Sequence, residues 1–314
     1  DCVIGVSGGK DSTLQAITAR DKLGLRCLLV NGEPENITDI GKYNIENLKQ
    51  LGFDVISLRP NPTIMKKLVK HDFYKYCNPV KVTEYSLWSS TYIIAEKFNI
   101  PLIIQGENPA LTLGVSLGGL SKGFNALEAN KQNTLSFGWK EYLDVNGVTP
   151  NDLFLFHYEK ENLEKKNIKG IWIQYFLKNW SLQNNADFAK KYGIKLRENF
   201  DPNSIGTYVA WSQLDSDLVH VNQALKFIKF GFGQCLDHAC YDIREKRITR
   251  KEGIELVKKY DGKVANSYVK EFCDWINISV DEFWKVANSF RGKMWTKNAE
   301  NEWHNNFWDL LDQS

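Results

Sequence analysis

An apolar run, Val3-Ile4-Gly5-Val6, passes directly into Ser7-Gly8-Gly9-Lys10-Asp11-Ser12, and this junction restricts the possible folds more than any other stretch of the chain. A strand that ends in paired glycines and opens a helix makes an anion cradle. The glycines let the backbone turn tightly and aim several N–H groups at one point, and the helix adds the positive end of its dipole. Phosphate is the natural occupant. Lys10 would supply a point charge, Ser7 and Ser12 hydroxyl donors, and Asp11 a carboxylate able to hold Mg²⁺ against a polyphosphate. The spacing is not that of a Walker loop, because Ile4 stands where the first glycine belongs and Asp11 where Ser or Thr belongs. A γ-phosphate-cleaving NTPase is therefore not expected.

The pattern beyond the loop is an alternation of strands and helices. A first helix carries Leu14, Ile17 and Leu23 on an apolar face and closes at Gly24; strand two is Arg26–Val30. Ile37–Leu51 has helical spacing, and Phe53–Leu58 gives strand three. Helical stretches near 61–70 and 83–98 lead to a buried strand, Pro101–Gln105. The expected fold is α/β, a doubly wound parallel sheet with a mostly helical C-terminal extension. Ligands of such sheets bind beyond the carboxyl ends of the strands. Asn31-Gly32-Glu33 after strand two lies where adenine and ribose are expected, and Gly106-Glu107-Asn108-Pro109 after the fourth strand faces the reacting centre. From about 111 to 167 the pattern weakens into glycine-rich and polar sequence, expected as an inserted loop or lid. Gly170–Phe176 reads as a strand and Ala186–Tyr192 as a short helix. The expected division is 1–204 for the nucleotide domain and 205–314 for a helical substrate-binding and interface region.

Forty Lys and Arg against 38 Asp and Glu leave a net charge of +2, too small a surplus for a general field toward nucleic acid or anionic membrane. No apolar run approaches a membrane span, and no signal peptide precedes the first strand, so a cytoplasmic protein is expected. Opening at Asp1-Cys2 in mid-strand leads us to expect a preceding segment. Six dispersed cysteines favour free thiols. Their one cluster, Cys235-Leu-Asp-His238-Ala-Cys240, matches no familiar zinc spacing.

Between Asp215 and Arg250 ionisable groups are dense beside Gly231-Phe232-Gly233. Lys229, Arg247 and Arg250 are candidate substrate contacts, since arginines grip carboxylate or phosphate in two places, although such charges also make ordinary solvated helix faces. Asp237-His238 after the glycine turn is a candidate pair for holding a proton or orienting a hydroxyl.

The hexapeptide Ser7–Ser12 resembles the pyrophosphate loop (PP-loop) of the N-type ATP pyrophosphatases, which cleave ATP to AMP and pyrophosphate. Together with Gln15, Gly106-Glu107-Asn108-Pro109-Ala110, Lys229–Gly233, Asp237-His238-Ala239, Arg247-Ile-Thr-Arg250 and Lys259-Tyr260-Asp261-Gly262, it resembles the N-acetyl sugar amidotransferases of surface-glycan synthesis. That family includes lipopolysaccharide amidotransferases and the pseudaminic-acid-modifying enzymes of flagellin glycosylation. The resemblance implies ATP and Mg²⁺ bound by Ser7, Gly8, Gly9, Lys10, Asp11, Ser12, Asn31 and Gly106, with Asp11 on the metal. It implies catalytic roles for Lys10, Asp11, Asp237 and His238, and substrate contacts from Glu107, Asn108, Lys229, Arg247 and Arg250.

The implied substrate is an acetamido sugar, and the implied ammonia source is a separate glutaminase subunit; a homodimer is compatible with it. Zinc is implied only for a cysteine-rich segment that this sequence lacks. Alternative readings are a tRNA-modifying PP-loop enzyme, of thiolase or lysidine-synthase type, and a non-catalytic adenine-nucleotide-binding subunit. The first calls for paired reactive cysteines or a basic footprint, and neither stands out.

Overall fold

The computed structural model describes residues 1–106, 125–127, 138–178 and 180–312. Five strands, β1 (Cys2–Gly5), β2 (Cys27–Gly32), β3 (Asp54–Leu58), β4 (Leu102–Gln105) and β5 (Lys169–Trp172), form one sheet in the order β3-β2-β1-β4-β5. All neighbours run parallel. Helices α1 (Lys10–Ile17), α2 (Asp39–Gln50), α3 (Pro62–Tyr76) and α4 (Lys81–Phe98) lie between the first four strands in sequence. Alternation along the strands serves both faces, as period-two side chains must. Cys2, Ile4 and Leu29 join Ala16, Ile17, Ile45 and Leu48 in one core cluster. Val3, Val30 and Ile103 join Tyr92, Ile94 and Ala95 in another. This is a doubly wound parallel sheet. Helix α4 runs so close over β2 that a Cβ on Gly32 would come within 3.1 Å of the Leu87 Cα.

Several boundaries differ from the sequence reading, each for a local reason. Strand β2 continues through Asn31 and Gly32, because pairing with Ser57 and Leu58 of β3 carries it two residues further. Leu23 is exposed, since the turn after α1 is a π-helix, Thr18–Lys22, whose wider winding rotates it off the apolar face. Strand β5 stops at Trp172, and Ile173–Phe176 winds into a 3₁₀ turn that leaves Tyr175 and Phe176 exposed. Of the region expected as a loop or lid, residues 138–167 hold 3₁₀ turns Trp139–Asp144 and Pro150–Leu153 and a helix Lys160–Lys165, anchored by buried Tyr142, Leu153, Phe156 and Leu163. Residues 111–124 and 128–137 of it lie outside the described residues.

The chain divides into two compact units. The first comprises residues 1–68, 81–196 and 214–216; the second 69–80, 197–213 and 217–314. The change thus falls at 196/197 where the sequence suggested 204/205, and the end of α3 joins the second unit. There Phe73 stacks on Phe283 with ring planes 3° apart, and Phe272 meets Phe73 edge-on. Helices Leu218–Phe230, Gln234–Arg244, Arg250–Tyr260, Asn266–Ile276 and Val280–Ser289 dominate the second unit, with a short antiparallel hairpin, Trp295–Lys297 with Trp303–Asn305.

Candidate active site

In the first unit, three adjacent parallel strands end at one edge of the sheet. Register pairs Gly5 with Val30 and Ile4 with Ile104, so the Ser7–Ser12 loop, Asn31-Gly32 and Gln105-Gly106 share that edge. Strand β1 is where the order reverses: β2 and β3 lie to one side, β4 and β5 to the other. A crevice opens at such a switch point.

The loop has the conformation its glycines allow. Val6 N–H still donates to Val30 O at 2.9 Å; the chain then turns at Gly8, whose φ is +80°. Gly8 sits against α2, where a Cβ would come to 3.0 Å from Asn44 Cβ and 3.2 Å from Gly41 O. Gly9 is the N-cap of α1 and has no side chain to occupy the first turn. Among the described residues the N–H groups of Gly8 and Gly9 meet no acceptor, which suits a phosphate cradle. Thr13 and Ser12 instead donate their hydroxyls back to Gly9 O, at 2.9 and 3.2 Å.

Lys10 is buried and its Nζ meets Asp11 Oδ2 at 2.6 Å. The other carboxylate oxygen, Oδ1, accepts from Asn185 Nδ2 at 2.7 Å. Both oxygens keep a second lone pair. Mg²⁺ is usually held by one or two carboxylates together with substrate phosphates and waters. Asp11 beside the cradle fits that requirement, and no group of three or more His, Cys, Asp or Glu among the described residues offers a closed metal cage. Asn31 is buried at the end of β2, its Nδ2 3.4 Å from Ser57 Oγ and its Oδ1 without a partner among the described residues. Glu35, just beyond, is buried and its carboxyl is pushed above the usual range by desolvation, against the pull of Arg59.

Asn185 gains significance only here, and Gln15, named above only with the resemblance, gains a place. Asn185 comes from the helix Leu182–Lys191, and its sequence signal was weak: one amide among the helix's buried positions Leu182, Ala186 and Ala189. Gln15, on α1, is fully buried with both amide atoms unpartnered among the described residues, and a Cβ on Gly106 would lie 3.3 Å from its Nε2.

The remaining candidates belong to the second unit, apart from Glu107 and Asn108, which lie outside the described residues. Asp237 and His238 do not act on each other. Consecutive helix positions point about 100° apart, so Asp237 pairs with Lys226 at 2.5 Å while buried His238 bonds Thr207 Oγ1 through Nδ1 at 2.6 Å. The expected proton-holding pair is thus two separate contacts. Lys229 Nζ reaches Tyr76 O at 3.3 Å. Arg247 is tied to Asp242 at 3.3 Å and to Glu245. Arg250 opens the helix Arg250–Tyr260, whose cap is a reciprocal Thr249–Glu252 box. Cys235 is buried, its thiol pushed up by desolvation, whereas Cys240 is exposed, so the cysteine cluster does not converge.

Most of the sequence match falls in the second unit. Residues 190–313 match the family model of the LPS biosynthesis protein WbpG-like, C-terminal domain. The matched segment contains Lys229, Asp237, His238, Arg247 and Arg250; the loop lies outside it. No curated protein matches the chain. Among solved structures it is similar to one described as a predicted subunit of tRNA methyltransferase from Methanocaldococcus jannaschii, at 16% identity over 72% of this chain and 86% of that one. The TM-score of 0.34 gives that likeness no weight for function. No helix among the described residues is long and apolar enough to cross a membrane.

Proposed function

We propose that the chain is an AMP-forming amidotransferase that converts the acetamido group of a sugar to an acetamidino group. The carrying observation is the uncapped glycine loop at the switch point, with Lys10 and Asp11 beside it. A similarity of residues 190–313 to a domain of LPS biosynthesis proteins supports a surface-sugar substrate. The chemistry needs no protein nucleophile. An amide carbonyl is a poor electrophile, so its oxygen first attacks the α-phosphorus of ATP and pyrophosphate departs. Ammonia then adds at the carbon of the O-adenylyl imidate and AMP leaves with the original oxygen.

In this reading the N–H groups of Gly8 and Gly9 receive the departing pyrophosphate, Lys10 balances its charge, and Asp11 shares the metal. Preorganised charge and alignment of two substrates supply the acceleration. Asn31 and Gly106 flank the nucleotide, and the ammonia is delivered by a separate glutaminase subunit. Purified protein given ATP, ammonium and a panel of acetamido sugars is expected to form AMP and pyrophosphate only with its sugar. By mass spectrometry the product is lighter by the difference between O and NH. Formation of ADP would overturn the assignment.

A further inference from the structure

Cys2 and Cys27 open two neighbouring strands, at the end of the sheet opposite the phosphate loop. The parallel register of β1 on β2 sets them directly across from each other, and their sulfurs are 3.6 Å apart. Paired strands lie about 4.8 Å apart, which is inside the range of about 4.4–6.8 Å that a disulfide spans between Cα atoms. The two thiols are not alike. Cys2 is fully buried whereas Cys27 is half-buried, and Cys2 donates its S–H to the Cys27 sulfur. That bond holds the Cys27 thiol below its usual value, with a smaller contribution from Arg20, while the same bond and then burial push the Cys2 thiol up. A partly accessible thiol that ionises readily, with a second thiol in reach, is the arrangement of an oxidation-sensitive pair.

We propose that Cys2 and Cys27 form a reversible disulfide when the chain meets a hydroperoxide. The Cys27 thiolate attacks one oxygen of hydrogen peroxide, the O–O bond breaks, and hydroxide leaves and takes up the proton that Cys27 released. Cys27 is then a sulfenic acid. The Cys2 sulfur attacks the Cys27 sulfur, the S–O bond breaks, and the departing oxygen leaves as water with the Cys2 proton. Two thiols are thereby oxidised by two electrons, and the peroxide is reduced to two waters. The new bond closes residues 2–27 into a ring that contains Ser7–Ser12 and α1, and it clasps β1 to β2 at their starts. Since the strands already lie side by side, the clasp restrains the unfolded chain more than the folded one. The proposal does not depend on the nucleotide reading.

Hydrogen peroxide is the probe, added to the whole folded chain; the remaining thiols are then alkylated in denaturant and the chain is cut with trypsin without reductant. Mass spectrometry is expected to find residues 1–10 joined to residues 27–42, lighter by two hydrogens than the sum of the free peptides, and dithiothreitol should separate them. This peptide map of the parent needs no variant. Cys27→Ala should abolish the link and leave Cys2 unmodified, whereas Cys2→Ala should leave a sulfenic acid on Cys27 that dimedone captures; thermal melts check that both fold. The oxidised parent should melt several degrees above the reduced chain. The proposal is overturned by absence of the linked peptide, by Cys27 joined to a different cysteine, by dimedone on Cys2 in the Cys27→Ala chain, or by a melting midpoint that oxidation leaves unchanged or lowers.

Discussion

At the scale of single residues, Gly8 and Asp11 are the two positions on which the loop depends. Gly8 has a left-handed φ of +80°, and the atom a side chain would strike, Asn44 Cβ, cannot give way. Asn44 is pinned to the Lys195 backbone by bonds of 2.8 and 3.0 Å, one in each direction. Gly8→Ala is expected to cost about 1–2 kcal/mol of stability from the conformation alone, read by urea denaturation, and to weaken pyrophosphate binding by calorimetry. Asp11→Asn keeps an oxygen for Asn185 but loses the charge for Lys10 and the metal. AMP formation should fall by about a hundredfold or more, followed by chromatography of the nucleotides, while the melting curve stays near that of the parent. A wild-type rate would remove Asp11 from the mechanism. The loop's turn and helix start were legible because they lie within ten residues. Asn185 was not, since it reaches Asp11 from 174 positions along the chain.

At the scale of elements, helix starts show how a distant side chain can decide a local structure. Helix Gln234–Arg244 has Gly233 as its N-cap and therefore no cap of its own; Asp261 supplies one, accepting from Gly233 N–H at 2.7 Å and Cys235 N–H at 3.0 Å. Burial outweighs these bonds and pushes the Asp261 carboxyl up to about 6. In the interval between its unfolded value near 3.8 and 6 the folded chain holds a proton that the unfolded chain has released. Its contribution to stability is therefore complete below about pH 4 and is lost as pH rises through 6.

His220 acts in the opposite sense. Burial and the nearby Arg197 hold its imidazole down to about 3, so its contribution is complete above about pH 6.5 and is lost as pH falls toward 3. The two slopes oppose each other between pH 4 and 6. Asp261→Asn should leave the His220 slope alone, so that stability measured by denaturant rises with pH across this window; a slope unchanged from the parent would refute the assignment. Strand and helix types followed from periodicity, whereas β5 ended at Trp172 and α1 passed into a π-turn at Thr18, where both residues are buried.

At the scale of the molecule, the proposed ligand of the loop would bind only the folded sheet, so its binding and stability would be linked. Pyrophosphate at about a hundred times its dissociation constant should add about 2.7 kcal/mol and raise the midpoint by roughly 2 °C or more, seen in a calorimetric scan. Gly8→Ala should diminish this gain. The sequence by itself determined the doubly wound sheet, the position of the loop after β1 and the helical character of the C-terminal part, because each follows from periodicity and turn chemistry within a short window. Only the tertiary structure decided that 69–80 belongs with the second unit, where Phe73 stacks on Phe283. It alone separated Asp237 from His238 and brought Asn185 to Asp11. These outcomes depend on which side chains meet across 11 to 210 positions of chain, and such meetings are fixed by burial and hydrogen bonding among all partners at once.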